Sequence, residues 1–346
     1  MRGLMLAAAA LLGCVSGADA QVLPSLPSPV SNAAVATGMV DNERWVFSVL
    51  GIDSTKRWSG ITRRATGWRS STGAWRRLPD VPGSAGRLAA TAQVVRERLI
   101  VFGGYTVDSA GAERSLATVD LFDARSSTWS RGADMPVAVD DAVSVVYRDS
   151  LVYLISGWHD TSTVTLVQVY DAVRDAWFAG TPVPGPGVFG HSGGLAGNTI
   201  VYIDGAVRQD SAVKYRLQPQ VWFGTIDTRA PTGITWRPGA AHPGPALYRA
   251  AVTRCGTRVV FAGGTDNPYN YSGVGYDGRP SQPSTRVFAF DTRDGRWQSL
   301  PPLATPSMDH RGLILLGDTA WTIGGMHVGQ QVSAAAVPTL LQKCGR

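Results

Sequence analysis

The chain is poor in the residues that build compact chemical centres. It has three cysteines, five histidines and only Lys56, Lys214 and Lys343 among its lysines. Cys14 lies in an apolar leader, which leaves Cys255 and Cys344, each in an isolated Cys-Gly pair. No Cys-x-x-Cys or His-rich spacing suggests a metal, so no metal or cofactor is expected. After residue 20 no apolar run approaches the ~20 residues a membrane helix needs. Charge is also sparse: a formal +6 carried almost wholly by arginine and mostly dispersed. Nothing resembles a nucleic-acid-binding module, and no nucleic acid is expected as partner.

The leader itself is informative. Arg2 precedes an apolar run from Leu4 to Leu12, too short for a stable membrane span, and Ala18-Asp19-Ala20 has the small-x-small form of a signal-peptidase site. Residues 1–20 read as a signal peptide and 21–346 as the mature chain, periplasmic or secreted. A competing reading takes Leu11-Leu12-Gly13-Cys14 as a lipobox, which would anchor the protein at the envelope through lipidated Cys14. An oxidising compartment permits a Cys255–Cys344 disulfide, which would staple the C-terminal tail to the fifth repeat.

One charged stretch stands out. Lys56, Arg57, Arg63, Arg64, Arg69, Arg76 and Arg77 fall in a segment without a single acid. It reads either as a surface for an anionic polymer or protein partner, or as solvated arginines that keep strand edges from pairing.

What the sequence has in plenty is glycine (40), proline (21) and tryptophan (11), arranged as repeats. Each unit has a β-branched strand ending in Gly-Gly or a variant, an aromatic-x-aromatic-Asp strand, a tryptophan and a Pro-rich exit. The second unit reads Leu99-Ile100-Val101-Phe102-Gly103-Gly104, then Leu121-Phe122-Asp123, Trp129 and Met135-Pro136. Glycine landmarks at 51, 104, 157, 205, 264 and 325 are 53, 53, 48, 59 and 61 residues apart. Tryptophans at 75, 129, 177, 236 and 297 are separated by 54, 48, 59 and 61. Two landmarks sharing one irregular spacing mark a true repeat. The architecture implied is all-β: a six-bladed propeller, its last blade completed by an N-terminal strand from the Leu-Pro-rich segment near residues 22–30.

Candidate binding residues follow from this geometry, because propellers bind at loop tips around the axis. Arg87, Asp140-Asp141, His191, Arg249 and His310-Arg311 recur once per blade just ahead of an innermost strand. Arginine forks and histidines in a ring suit a polyol or carboxylate ligand; the alternative is that they brace neighbouring blades. A long insertion after Gly264 carries Tyr269, Asn270 and Tyr271, and Trp158-His159 occupies the matching loop of the third blade. Aromatic faces with amide donors are what sugar sites use, whereas an Ω-loop packed on its own tyrosines is the structural reading.

The glycine pairs, the aromatic-Asp strand and the offset tryptophan resemble the Kelch-repeat family over essentially the whole chain from residue 22. Galactose oxidase-like members hold copper with an adjacent Tyr-His pair, and none of the five histidines follows a tyrosine. The Leu-Pro N-terminus, the blade count and the Tyr/Asn/Gly insertion resemble bacterial N-acetylneuraminate epimerases (sialic acid mutarotases). That resemblance implies a catalytic glutamate after a glycine of the fourth blade, with an arginine downstream. Here Asp204-Gly205-Ala206-Val207-Arg208 has the arginine, but alanine stands where the glutamate belongs. Alanine cannot transfer a proton, so Asp204, Arg208 and His191 are the remaining weak catalytic candidates. The leading expectation is an exported propeller that binds a carbohydrate-like or acidic small ligand in its axial funnel. A sugar epimerase or mutarotase and a protein-interaction scaffold are the alternatives.

Overall fold

The computed structural model describes residues 22–342 and Cys344. The leader 1–20, with Cys14, and Gln21 lie outside the described residues. Val-, Ile- and Phe-rich runs form strands because branched and aromatic side chains fit a pleated surface covered on both faces. In blade two these are Thr91–Val95, Arg98–Phe102, Val119–Asp123 and Thr128–Arg131, antiparallel and in sequence order outward from the axis. The same plan repeats around the axis to give six blades. Innermost strands touch in ring order, and Ile314–Leu316 of blade six meets both Ala251–Cys255 of blade five and Ala34–Val40 of blade one. Between blades the core is aromatic. Phe47 meets Phe122 across blades one and two, and Phe223 stacks on Phe290 at 4.3 Å across blades four and five. Each such burial is worth roughly 1.5–3 kcal/mol.

The glycine landmarks have one cause. In every blade the second strand ends in two residues of positive φ, and the second is always glycine. A Cβ on Gly104 would sit 2.6 Å from the Leu88 carbonyl oxygen, and one on Gly157 2.6 Å from that of Asp140. The first of the pair tolerates Leu50, Ser156 or Asp204, since short αL excursions are open to side chains. The tryptophans also share one role. The indole N–H of Trp129 donates to Pro79 O at 2.9 Å, that of Trp177 to Ala133 O at 2.8 Å and that of Trp297 to Ala240 O at 2.9 Å. Each one ties its blade to the exit of the blade before.

Blade six departs from the expected plan. Its sheet has three strands, Ile314–Leu316, Thr319–Ile323 and Ala336–Leu340, and residues 22–30 add no fourth. Prolines at 24, 27 and 29 remove the donors a ladder would need. The segment instead lies against the blade through three backbone bonds, Leu26 N–H to Ala334 O (2.7 Å), Val30 N–H to Ser333 O (3.0 Å) and Gly325 N–H to Val30 O (2.9 Å). Leu23, Leu26 and Val30 are buried with Trp321 and Ile323, and Pro24 O accepts the Trp75 indole at 2.8 Å. A disulfide joins Cys255 to Cys344, with Cα atoms 4.3 Å apart.

Several side chains of the basic run have partners within the protein. Arg69 and Arg76 lie over the Trp45 ring, and Arg69 faces Glu43 at 3.7 Å. Arg77 pairs with Asp80, Arg63 donates to Gly83 O, and Lys56 reaches Gln330 O in blade six at 3.0 Å.

Candidate functional site

Just before each innermost strand one residue turns left-handed: Asn32, Ala89, Asp141, Gly190, Arg249 and Asp309, with φ between 53° and 69°. Five of the six carry a side chain, at a typical cost of about 1–3 kcal/mol each. A ring of hydrogen bonds offsets it. Asp141 N–H donates to Ala89 O, Gly190 N–H to Asp141 O, and Arg249 N–H to Gly190 O. His310 N–H continues to Arg249 O, Asn32 N–H to Asp309 O, and the Asn32 side chain accepts from Ala89 N–H. This ring closes one end of the axis.

A buried ion network fills the same end. Arg249 holds Asp141 through Nε (3.1 Å) and Nη2 (2.7 Å), and reaches Asp309 through Nη1 at 2.9 Å. Asp309 also accepts from Ser31 Oγ and Asn32 Nδ2, and Arg311 pairs with Asp141. Burial works to raise the Asp141 carboxyl, but the Arg249 and Arg311 charges outweigh it and hold it below the usual carboxylate range. Neighbouring Asp140 goes the other way: burial and then the Asp141 charge drive it well above that range, against the bond it accepts from Ser115. Arg249 also lies over the rings of Tyr248 and Tyr269. It is 3 % exposed and has no side available to a ligand.

Beyond the ring the innermost strands enclose a cavity of about 420 Å³ that runs along the axis to the turns at Arg148, Gly197 and Arg254. Its walls carry Thr37, Thr91, Gln93, Ser144 and Thr253, and its lining includes no aspartate or glutamate. Exposed Arg148 and Arg254 stand at the turn end, while His191, His310 and Arg311 form the end against the ring. Burial lowers both His191 and His310 to about 4, so both rings are neutral at pH 7. His191 Nε2 lies 2.9 Å from Ile155 O and 3.3 Å from the Val143 amide nitrogen, and the shorter contact, to an atom that can only accept, puts the proton on that nitrogen. His191 Nδ1 and Arg311 Nε are buried with no hydrogen-bond partner in the protein, and both side chains line the cavity.

At the ring end, the loops between second and third strands form small hairpins. Trp158 packs against Phe189 and Tyr215, and Tyr215 against Tyr276 at 4.4 Å. Tyr269 is wholly buried between Tyr248 and Arg249, and Tyr271 packs beside Tyr105 and Leu88. Asn270 folds its own loop, accepting the Tyr271 N–H at 2.6 Å.

The expected residues therefore divide. His191, His310 and Arg311 meet at the axial cavity. Arg249 and Tyr269 belong to the sealed end, because their polar groups are consumed or enclosed there. Arg87 never reaches the axis: it is buried in blade two on Asp120 (2.5 Å), Gly103 O and Thr118. His159 bonds Ala138 O, and Trp158 forms part of the aromatic cover. Asp204 is a brace, accepting from Leu247 N–H and His242 Nε2, both at 2.8 Å. Arg208 is exposed and contacts Thr161 O. Sequence reasoning passed over Gln93, Ser144 and Arg254; they follow from period-2 alternation along the innermost strands. Among the described residues no group of His, Cys, Asp or Glu could hold a metal ion.

Six blades, paired-glycine corners and inter-blade tryptophans define a Kelch-type β-propeller with a polar axial cavity. The Kelch motif matches residues 86–136, and relatives aligned along nearly the whole chain agree with that likeness. It is 22% identical to the N-acetylneuraminate epimerase of Salmonella typhi, over 93% of this chain and 91% of that protein. It is 30% identical to the Kelch-like protein terF of Aspergillus terreus over 47% of the chain, a match spanning only 36% of that longer relative. The solved structure of YjhT superposes with a TM-score of 0.73 at 15% identity, covering 92% of this chain and 97% of that one; this likeness speaks for the fold alone.

Proposed function

We propose that the protein is an exported binder of a small acidic, carbohydrate-like ligand, held in the axial cavity. One observation carries this reading: a 420 Å³ polar cavity with three arginines, no carboxylate and two buried unpaired polar atoms in its lining. Unpaired buried polar atoms cost free energy unless water or a ligand satisfies them. Arginines at the mouth attract an anion, and Gln93, Ser144 and Thr91 offer the mixed donors and acceptors that hydroxyl groups need.

The epimerase relatives suggest N-acetylneuraminate as the first probe, beside glucuronate and neutral galactose. Thermal unfolding with each sugar tests the reading. A ligand at a hundred times its Kd should add about 2.7 kcal/mol to apparent stability. The sugar acids should raise Tm and galactose should not. Equal or absent shifts with all three would remove the proposal. A second reading, a sugar mutarotase, is favoured by similarity to epimerases along 93% of the chain, and it needs a proton-transfer group in place of Ala206.

A further inference from the structure

One loop of blade one, at the ring end, holds an apolar ring out in water. Of the eleven tryptophans, all among the described residues, Trp58 alone is exposed, at 46 %. Its neighbour Ile61 packs into the core, whereas the Trp58 ring joins no core cluster and no ring pair among the described residues. The loop is nonetheless firmly built. Asp53 N–H donates to Gly60 O at 3.0 Å, Gly60 N–H to Arg57 O at 2.8 Å and Thr62 N–H to Gly51 O at 2.9 Å. Asp53 Oδ1 accepts the Thr55 N–H at 2.9 Å. A loop held this way presents Trp58 in a fixed place, and little ordering is left for a partner to impose.

Two other loops bring apolar tips to the same spot. Val328 of blade six is 60 % exposed, and Val274 of the blade-five insertion 42 %. The three loops meet at Gln330. Lys56 Nζ donates to the Gln330 carbonyl oxygen at 3.0 Å, and Gln330 Nε2 donates to Ser281 O at 2.9 Å. A Cβ on Gly273, next to Val274, would sit 2.7 Å from Gln330 Cγ. Cations surround the trio. Residues 53–64 hold Lys56, Arg57, Arg63 and Arg64 against Asp53 alone, and exposed Arg57 forms no ion pair among the described residues. Arg63 and Arg64 line a cleft of about 420 Å³ beside Trp58, where Asp80 is already paired with Arg77 and Asp53 with Thr55. Near Val274, the Asp277 carboxylate is taken by Asn267 Nδ2 and the Arg279 N–H, both at 3.0 Å.

We propose that this face docks the protein on a bilayer that contains anionic phospholipid. Trp58, Val328 and Val274 enter the interfacial layer, while Lys56, Arg57, Arg63 and Arg64 meet the headgroups. Tryptophan suits that layer because its ring is apolar and its indole N–H still finds water or a headgroup. Basic side chains are drawn to the negative surface potential of such a membrane. Apolar tips beside the cations fit a bilayer better than a soluble polyanion, which would offer the two valines nothing. Docked in this way the ring end faces the lipid. The cavity mouth at Arg148 and Arg254 then points into solvent, open to a ligand.

Flotation of the full-length protein with lipid vesicles tests this. Vesicles of phosphatidylcholine and phosphatidylglycerol in equal parts should carry the protein, and vesicles of phosphatidylcholine alone should not. Binding should weaken as salt rises, since screening shortens the reach of the headgroup charge. A cation near an anionic surface is worth about fivefold in partitioning, so Arg57→Glu, which reverses a charge, should weaken binding about 25-fold. Trp58→Ala should weaken it roughly tenfold, for the apolar area no longer buried in lipid. The same variant should keep its Tm and lose the quenching of tryptophan fluorescence by brominated lipid. Equal binding to both kinds of vesicle, or binding that survives both substitutions, would overturn the proposal; attachment through the apolar leader gives that second result. Retention on dextran sulfate undiminished in Trp58→Ala, with no vesicle binding, would assign the loop to a soluble polyanion and overturn it as well. N-acetylneuraminate should raise the Tm of Trp58→Ala as it does that of the wild type, so failure here leaves the cavity reading untouched.

Discussion

At one end of the axis, six left-handed residues and the Asp141–Arg249–Asp309 ion pairs close the ring. At the other, uncharged polar side chains and two exposed arginines border an open cavity. Both ends are made by the same six innermost strands. The difference lies in how many partners each polar atom has. Arg249 spends Nε, Nη1 and Nη2 on carboxylates within the protein, whereas Arg148 and Arg254 at the open end form no ion pair among the described residues. Charge near an axis is therefore no guide to ligand binding until its partners are counted.

The largest effect should come from breaking the closed end. Arg249→Ala leaves Asp141 and Asp309 buried with fewer counter-charges, and removing one member of a buried ion pair costs about 3–5 kcal/mol. Denaturant unfolding should show a loss of that order with no ligand present. A variant of near-wild-type stability would mean that the closed end is a binding site after all.

Acid should come next. His191 and His310 titrate near 4 in the folded chain, against an ordinary value near 6.5. Between those values the unfolded chain binds more protons, so stability rises with pH across that window and falls as pH drops through it. It is fully recovered above about 6.5, and the pair accounts for a few kcal/mol. A Tm profile between pH 4 and 7 measures this, and His191→Asn with His310→Gln should flatten it.

A smaller loss belongs to the blade contacts, which are common to both ends. Trp177→Phe keeps the ring but removes the 2.8 Å bond to Ala133 O, leaving a carbonyl short of a partner. About 1 kcal/mol is expected in equilibrium unfolding. No measurable change would reduce the inter-blade indole bond to a packing detail.

Much of this molecule can be read from its sequence because close packing repeats. Gly104 and Gly157 must be glycine where a Cβ would strike a carbonyl, and each tryptophan must reach the preceding blade. Such constraints recur at every blade and so leave a period. The N-terminal segment misleads: Leu-Pro pairs look like an outer strand, yet the same prolines deny it a ladder. The partners of the polar residues carry no period. Arg249 and Arg254 look alike in sequence, and only the positions of Asp141 and Asp309 show which guanidinium is consumed.

The smallest effect on stability should come from the open end, and there the comparison becomes sharpest. Arg254 is exposed and the innermost strand does not depend on its charge, so Arg254→Ala should change stability by no more than ~0.5 kcal/mol. A cation at the mouth of a cavity acts on an approaching anion chiefly through association rate and salt dependence. Calorimetry with N-acetylneuraminate should show affinity weakened about tenfold, equal to about 1.4 kcal/mol. Raising the salt concentration should weaken the wild type toward the variant, because screening removes the same attraction. Arg249→Ala, judged at matched folded fraction, should show no comparable salt effect, since its charge is already neutralised inside the ring. If the two arginine variants exchanged these behaviours, the closed and open ends would have been assigned the wrong way round.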